Sequence, residues 1–410
     1  MSSATSSTDS LAPSASVTPF VRDATTWLSY FACFYLFSIQ ASLGPAMPYV
    51  RSERGLSYTV AGLHFTAVAV GALVMGLLAS RVVRKMGRRP AFWAGIGGIT
   101  VGGLLFISAG VAPLSILGAL IIGMSGCLVV IVVQANLAEQ FPVHRSVALV
   151  EINLACSAGT IVAAFGVGLA SRTPMGWQFA FIAPMLACAV VAIVMRAAPF
   201  APGMPAEARH RRGMKLPKLF WILCATAALS AAGEWCISYW GADFLYEAAD
   251  TSKGAAAAML SLFFIGVTLG RLAGRNLVRK VSPSHLLIVS FLVAMSGFPF
   301  FWLAPWSVVR LAGLFVVGLG ISNVYPAISS LAAHLLPRHL DIAFSHLQVT
   351  GNVMILAAPL ALGLLGDQYG IATAMAIMLV PFLCGALGFS FWINRQPLEP
   401  TVESTHLLTN

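Results

Sequence analysis

The sequence predicts an all-α membrane protein: twelve transmembrane helices in two pseudo-symmetric six-helix bundles. Three observations carry this. Apolar residues make up 58% of the 410-residue chain and charged residues only 9%, too little charge to cover a soluble surface of that size. Apolar stretches recur at about the 20 residues that cross the hydrocarbon of a bilayer, and twelve of them use about 240 residues, leaving short loops. The halves also repeat at a fixed offset. Gly118-Ala-Leu-Ile-Ile-Gly123 lines up with Gly313-Leu-Phe-Val-Val-Gly318, and Pro142 and His144 match Pro337 and His339, each 195 positions on.

In chain order the spans fall at 27–50, 57–80, 90–111, 113–138, 146–170 and 177–197, then 218–245, 254–278, 284–304, 307–335, 341–366 and 370–394. Residues 1–26, rich in Ser, Thr, Ala and Pro, read as a disordered tail without a basic stretch ahead of an apolar one, so the first span directs insertion. The domain expectation is a bundle over 27–197, a basic linker over 198–217, a second bundle over 218–394 and a tail over 395–410. With both termini cytoplasmic, 19 of the 24 Lys and Arg residues fall on the inner side and 5 on the outer, so the positive-inside rule predicts that orientation in a cell (inner) membrane.

The formal charge of +10 therefore reports topology rather than nucleic-acid binding. All seven cysteines (Cys33, Cys127, Cys156, Cys188, Cys224, Cys236 and Cys384) sit in apolar stretches without metal-ligand spacing and read as packed thiols. There is no Gly-rich phosphate loop ending in Lys-Ser/Thr and no catalytic constellation, so no enzyme, cofactor or metal is expected. Two parallel six-helix halves suit rocking about a central site, which points to a secondary transporter rather than a channel.

Two loops then carry a resemblance. Ser80-Arg-Val-Val-Arg-Lys-Met-Gly-Arg-Arg89, after the second span, is similar to the Asp-Arg-x-Gly-Arg-Arg loop of the major facilitator superfamily. Ala138-Glu-Gln-Phe-Pro-Val-His-Arg145, leaving the fourth span, resembles that family's Glu…Pro…Arg segment. The resemblance implies an inner-face motif of Arg84, Gly87, Arg88, Arg89, Glu139 and Arg145, with one departure. Arg84 stands where the family has an Asp that helps hold the inner face closed, and Arg279 is its C-terminal counterpart, so Glu139 is left to pair with the loop arginines. Gly233-Glu-Trp-Cys-Ile-Ser-Tyr-Trp240 and Gly270-Arg-Leu-Ala-Gly-Arg275 resemble the fucose-permease-like branch, which includes proton-coupled sugar importers. The Gly-Pro-x-x-Gly pattern of drug antiporters is not seen in 148–171.

Ionisable residues inside spans cost roughly 2.5–3.5 kcal/mol each at a helix centre and mark function. Glu234 lies about midway along its span beside Trp235 and Tyr239, and is the expected proton-coupling or substrate carboxylate. Glu151 and His346 are equivalent by the repeat; Glu151 is expected to meet Arg271 or Arg275 at an inner gate when the outer side is open, with His346 a further gate candidate. Gln40, Asn153, Asn323, Gln348 and Asn352 are candidates for the solute path, with Trp240 and Tyr325 as further aromatic partners. No basic residue is expected at mid-membrane, Arg271 being placed toward the inner end. The expected function is proton-coupled import of a small neutral polar solute such as a sugar, by a monomer in the lipid bilayer. Proton-driven export of small amphipathic compounds is the alternative.

Overall fold

The computed structural model describes residues 21–142, 144–200, 216–277, 281–336 and 340–396, without the side chains of 145, 146, 275, 276, 340 and 341. Most of the basic linker, including Arg209, Arg211 and Arg212, and the greater part of both tails lie outside the described residues.

Among the described residues thirteen α-helices follow one another: α1 (Ala24–Arg54), α2 (Tyr58–Met86), α3 (Arg88–Ser108), α4 (Ala112–Gln140), α5 (Arg145–Ala170), α6 (Phe179–Met195), α7 (Lys218–Ala248), α8 (Lys253–Leu277), α9 (Pro283–Leu303), α10 (Ser307–Ile321), α11 (Val324–Leu335), α12 (Leu340–Tyr369) and α13 (Ile371–Asn394). Taking α10 and α11 as one broken span, eleven stretches among the described residues are long and apolar enough to cross a membrane. The twelfth span is α1, whose 31 residues suffice in length but whose sequence is more polar. Its position accounts for that: α1 packs on α4, α5, α6, α7 and α8, and buries Thr25, Thr26, Ser29, Ser38 and Ser42 in protein rather than lipid. The outer helices instead present Leu77, Ile193 and Val194, each more than 70% exposed, to the surrounding apolar phase.

The 195-residue repeat is visible as repeated contacts. In the first half α1 packs on α5, and α4 on both α2 and α3; in the second α7 packs on α12, and α10 on both α8 and α9. A Cβ added to Gly123 would lie 2.0 Å from the Val68 carbonyl oxygen, and one added to Gly318, 2.3 Å from that of Phe263. Gly102 and Gly118 approach each other as Gly297 and Gly313 do. Backbones this close exclude any side chain, the usual way membrane helices gain contact without a hydrophobic driving force.

The tenth span departs from the uninterrupted helix expected over 307–335: it breaks at Ser322 and Asn323. Pro326 cannot donate to the carbonyl four residues back, which is that of Ser322. At the break Asn323 donates its Nδ2 to the Gly270 carbonyl of α8 at 2.9 Å and to Ser322 Oγ at 3.0 Å. At the opposite end of this span Arg310 is 5% exposed and donates to the carbonyls of Phe301, Trp302 and Ala304, capping α9.

Candidate functional site

The two halves meet around a cavity of about 480 Å³, within the roughly 300–1,000 Å³ typical of small-molecule sites. Helical spacing places its polar groups. Asn153, Ser157 and Thr160 share a stripe of α5, Ser230, Glu234 and Ser238 one of α7, and Gln348 and Asn352 one of α12. Gln40 comes from α1, Arg271 from α8 and Tyr325 from α11. Gln348 Nε2 donates to Asn352 Oδ1 at 3.3 Å. Phe37, Trp235 and Phe264 supply apolar wall.

Glu234 and Arg271 oppose each other across the cavity wall, with 3.6 Å between Oε1 and Nη2 and side chains 31% and 45% exposed. Among the described residues they are the charged groups lining it. Arg271 thus stands beside Glu234, not at the inner end where its sequence position put it, and the expectation of a cavity without a cation is corrected. The cause is local: side chains lean toward the N-terminus of their own helix. Helices α7 and α8 run in opposite senses, so Glu234 and Arg271 lean toward each other.

Aromatic rings floor the cavity on the side away from the termini. Phe65 of α2 stacks on Tyr239 of α7 at 4.0 Å, Trp240 meets Phe65 edge-on at 5.3 Å, and Gln40 lines the cavity beside Tyr239. Beyond this floor the halves are tied further. Arg51 Nη1 donates to Asp243 Oδ1 at 2.6 Å, Tyr58 donates to Glu247, and Asp367 accepts from the backbone N–H groups of Tyr58 and Thr59 at 2.7 and 2.9 Å. Gly168 of α5 and Gly254 of α8 approach closely there as well. These contacts between the halves, with Thr66 donating to the Leu356 carbonyl and Lys253 to Ser52, lie from the helix midpoints to this far face. The molecule is closed there.

Seven of the eight solute or coupling candidates meet at the cavity: Glu234, Trp235, Tyr239, Gln40, Tyr325, Gln348 and Asn352. Asn323 does not; it is turned to α8 in the span break. Trp240 is buried, its Nε1 donating to the Pro359 carbonyl at 2.9 Å. Glu151 is held by Arg22, with Nη2 and Nε at 2.5 and 2.9 Å, and accepts from the Tyr30 hydroxyl at 2.5 Å. His346 bonds the Ile342 carbonyl at 2.9 Å and packs edge-on against Phe220 and Trp221. The side chain of Arg275 lies outside the described residues. Sequence reasoning missed Arg51, Asp243, Arg22 and Tyr30. The rule that any ionisable residue inside a span is a candidate would have found Asp243.

The Major Facilitator Superfamily matches residues 26–240 and again 223–407, once for each half. The chain belongs to the Major Facilitator Superfamily. It is 27% identical over 135 residues to an uncharacterized MFS-type transporter of Yersinia pestis, covering 33% of this chain and 35% of that protein. It is 22% identical over 175 residues to the membrane protein MosC of Rhizobium meliloti, covering 42% and 43%. The matched stretches thus span under half the length of these relatives. Among solved structures, a bacterial homolog of the human lysosomal transporter Spinster, inward-facing and unoccupied, is similar with a TM-score of 0.75 at 15% identity, covering 92% of this chain and 98% of that one. A D-xylose–proton symporter gives 0.70 at 14%, covering 92% and 98%, and the nucleoside transporter NupG 0.72 at 14%, covering 91% and 99%. These likenesses fix the fold, and the family carries transport rather than enzymatic activity.

The superfamily loop is built on the face that carries the termini. Gly87, at φ 84°, makes the turn between α2 and α3 in a backbone conformation other residues rarely adopt. Arg88 then forks onto Glu139 at the end of α4, its Nη1 and Nη2 at 2.7 and 2.5 Å. Arg89 donates to the Arg196 carbonyl after α6, and Arg84 is exposed. Arg145's side chain and Arg279 lie outside the described residues.

Proposed function

We propose that this chain imports a small polar solute of sugar-like size together with protons, by alternating access. One observation carries the proposal: a cavity at the helix midpoints, walled by both halves and lined by amides, hydroxyls, a carboxylate and a guanidinium, is sealed by contacts that also join the halves. Rocking of the bundles must break those contacts on one side as it makes others on the opposite side. The excess of Lys and Arg near the termini favours a cytoplasmic placement of that face, in a cell (inner) membrane, so that the cavity opens inward. Glu234 is the coupling carboxylate in this reading, and Trp235, Tyr239, Gln40, Tyr325, Gln348 and Asn352 shape the solute site of a monomer. Glu151, Arg271, Arg275 and His346 serve the inner gate.

The D-xylose–proton symporter among the structural likenesses supports a sugar-like cargo, as does the resemblance to the fucose-permease-like branch. The expectation that the cargo is neutral rested on the absence of a cation at this depth, and Arg271 removes that ground. Export of small amphipathic compounds is the second reading, favoured by Phe37, Phe264 and Trp235 in the wall. Purified protein in vesicles, given an inward proton gradient, is expected to accumulate members of a panel of labelled sugars and sugar acids, and to stop when the gradient is collapsed. Gradient-driven extrusion with no accumulation of any panel member would establish the second reading instead.

A further inference from the structure

The Glu234–Arg271 pair specifies more than polarity. At 3.6 Å it is longer than a hydrogen bond, and both side chains keep exposed surface in the cavity. A guanidinium has five N–H donors in a fork that fits a carboxylate. Arg271 directs that fork into a solute-sized space where, among the described residues, its acidic neighbour is held by a long ionic contact.

We propose that the solute is a monocarboxylate bearing hydroxyl groups, a sugar acid in chemical class, and that its carboxylate takes Arg271 from Glu234. The inference rests on the transport reading above. Charge balance provides the coupling. Before solute binds, the described lining of the cavity holds one cation and one anion. A bound carboxylate on Arg271 leaves Glu234 as an unpaired second anion in a site being closed from water, which is strongly unfavourable. A proton from the entry side neutralises Glu234, and the cavity again holds one cation and one anion. Solute and proton therefore enter together, one for one. A neutral sugar would leave the ion pair intact and give Glu234 no reason to take up a proton.

The remaining groups fit the rest of such a molecule. Gln348, Asn352, Gln40 and Asn153 offer donors and acceptors for hydroxyls, and Trp235 a ring face for C–H groups. The other titratable groups lining the cavity are Tyr239 on α7, Cys156 on α5 and Tyr325 on α11; the linings from α1 and α12 are uncharged and do not titrate.

The test is binding to the purified full-length protein in weakly buffered solution with a pH indicator, using D-gluconate, D-glucuronate and D-glucose as probes. Saturable binding of at least one acid, with one proton taken up per anion and no comparable binding of glucose, is expected. Glu234→Gln should bind the acid without proton uptake. Arg271→Gln should bind it roughly ten- to a hundredfold more weakly, the loss of a charge-assisted fork. Arg271→Lys should fall between them with proton uptake retained, and thermal melting of each variant checks folding. Binding of glucose equal to the acids, binding of neither acid, or an Arg271→Gln variant with unchanged affinity overturns the proposal. Glucose accumulation driven by protons would overturn it too, while leaving the transport reading standing.

Discussion

Arg51 on α1 and Asp243 on α7, 192 positions apart, meet between the halves with 2.6 Å between Nη1 and Oδ1. Asp243 is fully buried, Arg51 also lies 3.3 Å over the Tyr58 ring, and Tyr58 in turn bonds Glu247. Three helices from the two halves are therefore joined through one guanidinium and one phenol, on the side where the molecule is closed.

Asp243→Asn leaves the half-buried Arg51 opposite a neutral group, at a cost to the closed far face below the roughly 3–5 kcal/mol of a fully buried pair. Spin labels at Arg172 and Thr251, in the far-face loops of the two halves, should gain a longer-distance population in this variant. Arg51→Met combined with Asp243→Leu should return most of the short-distance population, because it removes both charges. An unchanged distance distribution in Asp243→Asn would show that the pair does not hold the far face closed.

The repeat makes a second prediction about packing. Gly123→Ala and Gly318→Ala each drive a methyl group onto a facing carbonyl, and each should destabilise the protein by roughly 1–3 kcal/mol. Gly97 has open space beside it, and Gly97→Ala is the matched control, expected to melt no lower than the parent. Thermal unfolding in detergent reads all three. A stable Gly123→Ala beside an unstable Gly318→Ala would mean that the halves are not packed alike.

The helix packing was legible because the same glycines must recur wherever the same backbones touch, so spacing along the chain reports contact. The cavity stripes were legible for a similar reason: a helical period fixes which residues share a face, as with Gln348 and Asn352. Pairings between distant helices were not. Nothing in the spacing of Arg51 and Asp243 says that they meet, and Arg22 reaches Glu151 over 129 positions from outside any span. Arg271 was misplaced because depth was counted along the backbone, whereas a long side chain leaning toward its helix N-terminus ends nearly a turn deeper. Asn323 carried a warning in Pro326, which interrupts the helix ladder at Ser322 and so gives Asn323 a structural position.

Glu151 provides a third prediction. Here Arg22 and Tyr30 hold it, and in a state closed on the terminus side it should instead reach Arg271. Arg22→Ala removes the competing partner, and because Arg22 is 42% exposed and screened by solvent the shift toward that state should be small. The far-face labels at Arg172 and Thr251 should show it as a modest gain in long distances. Adding Glu151→Gln should cancel the gain. A full effect persisting in the double variant would separate Glu151 from the gate.

The last prediction concerns Glu234. Glutamine keeps the shape and hydrogen-bonding capacity of glutamate but cannot titrate. Glu234 lies on the cavity stripe of α7, among the rings of Trp235 and Tyr239 and opposite Arg271, and its ionic contact at 3.6 Å is too long to serve as a structural clamp. Glu234→Gln should therefore reach the membrane at near-normal levels and melt close to the parent. In vesicles it should lose accumulation of solute under an imposed proton gradient while retaining exchange of labelled for unlabelled solute at equal concentrations, because exchange needs binding and rocking but no net proton movement. A carboxylate with a purely structural role gives another pattern, in which expression falls or accumulation and exchange decline together. Proton-dependent accumulation persisting in Glu234→Gln would move the coupling site elsewhere, with Glu151 and His346 the next residues to substitute.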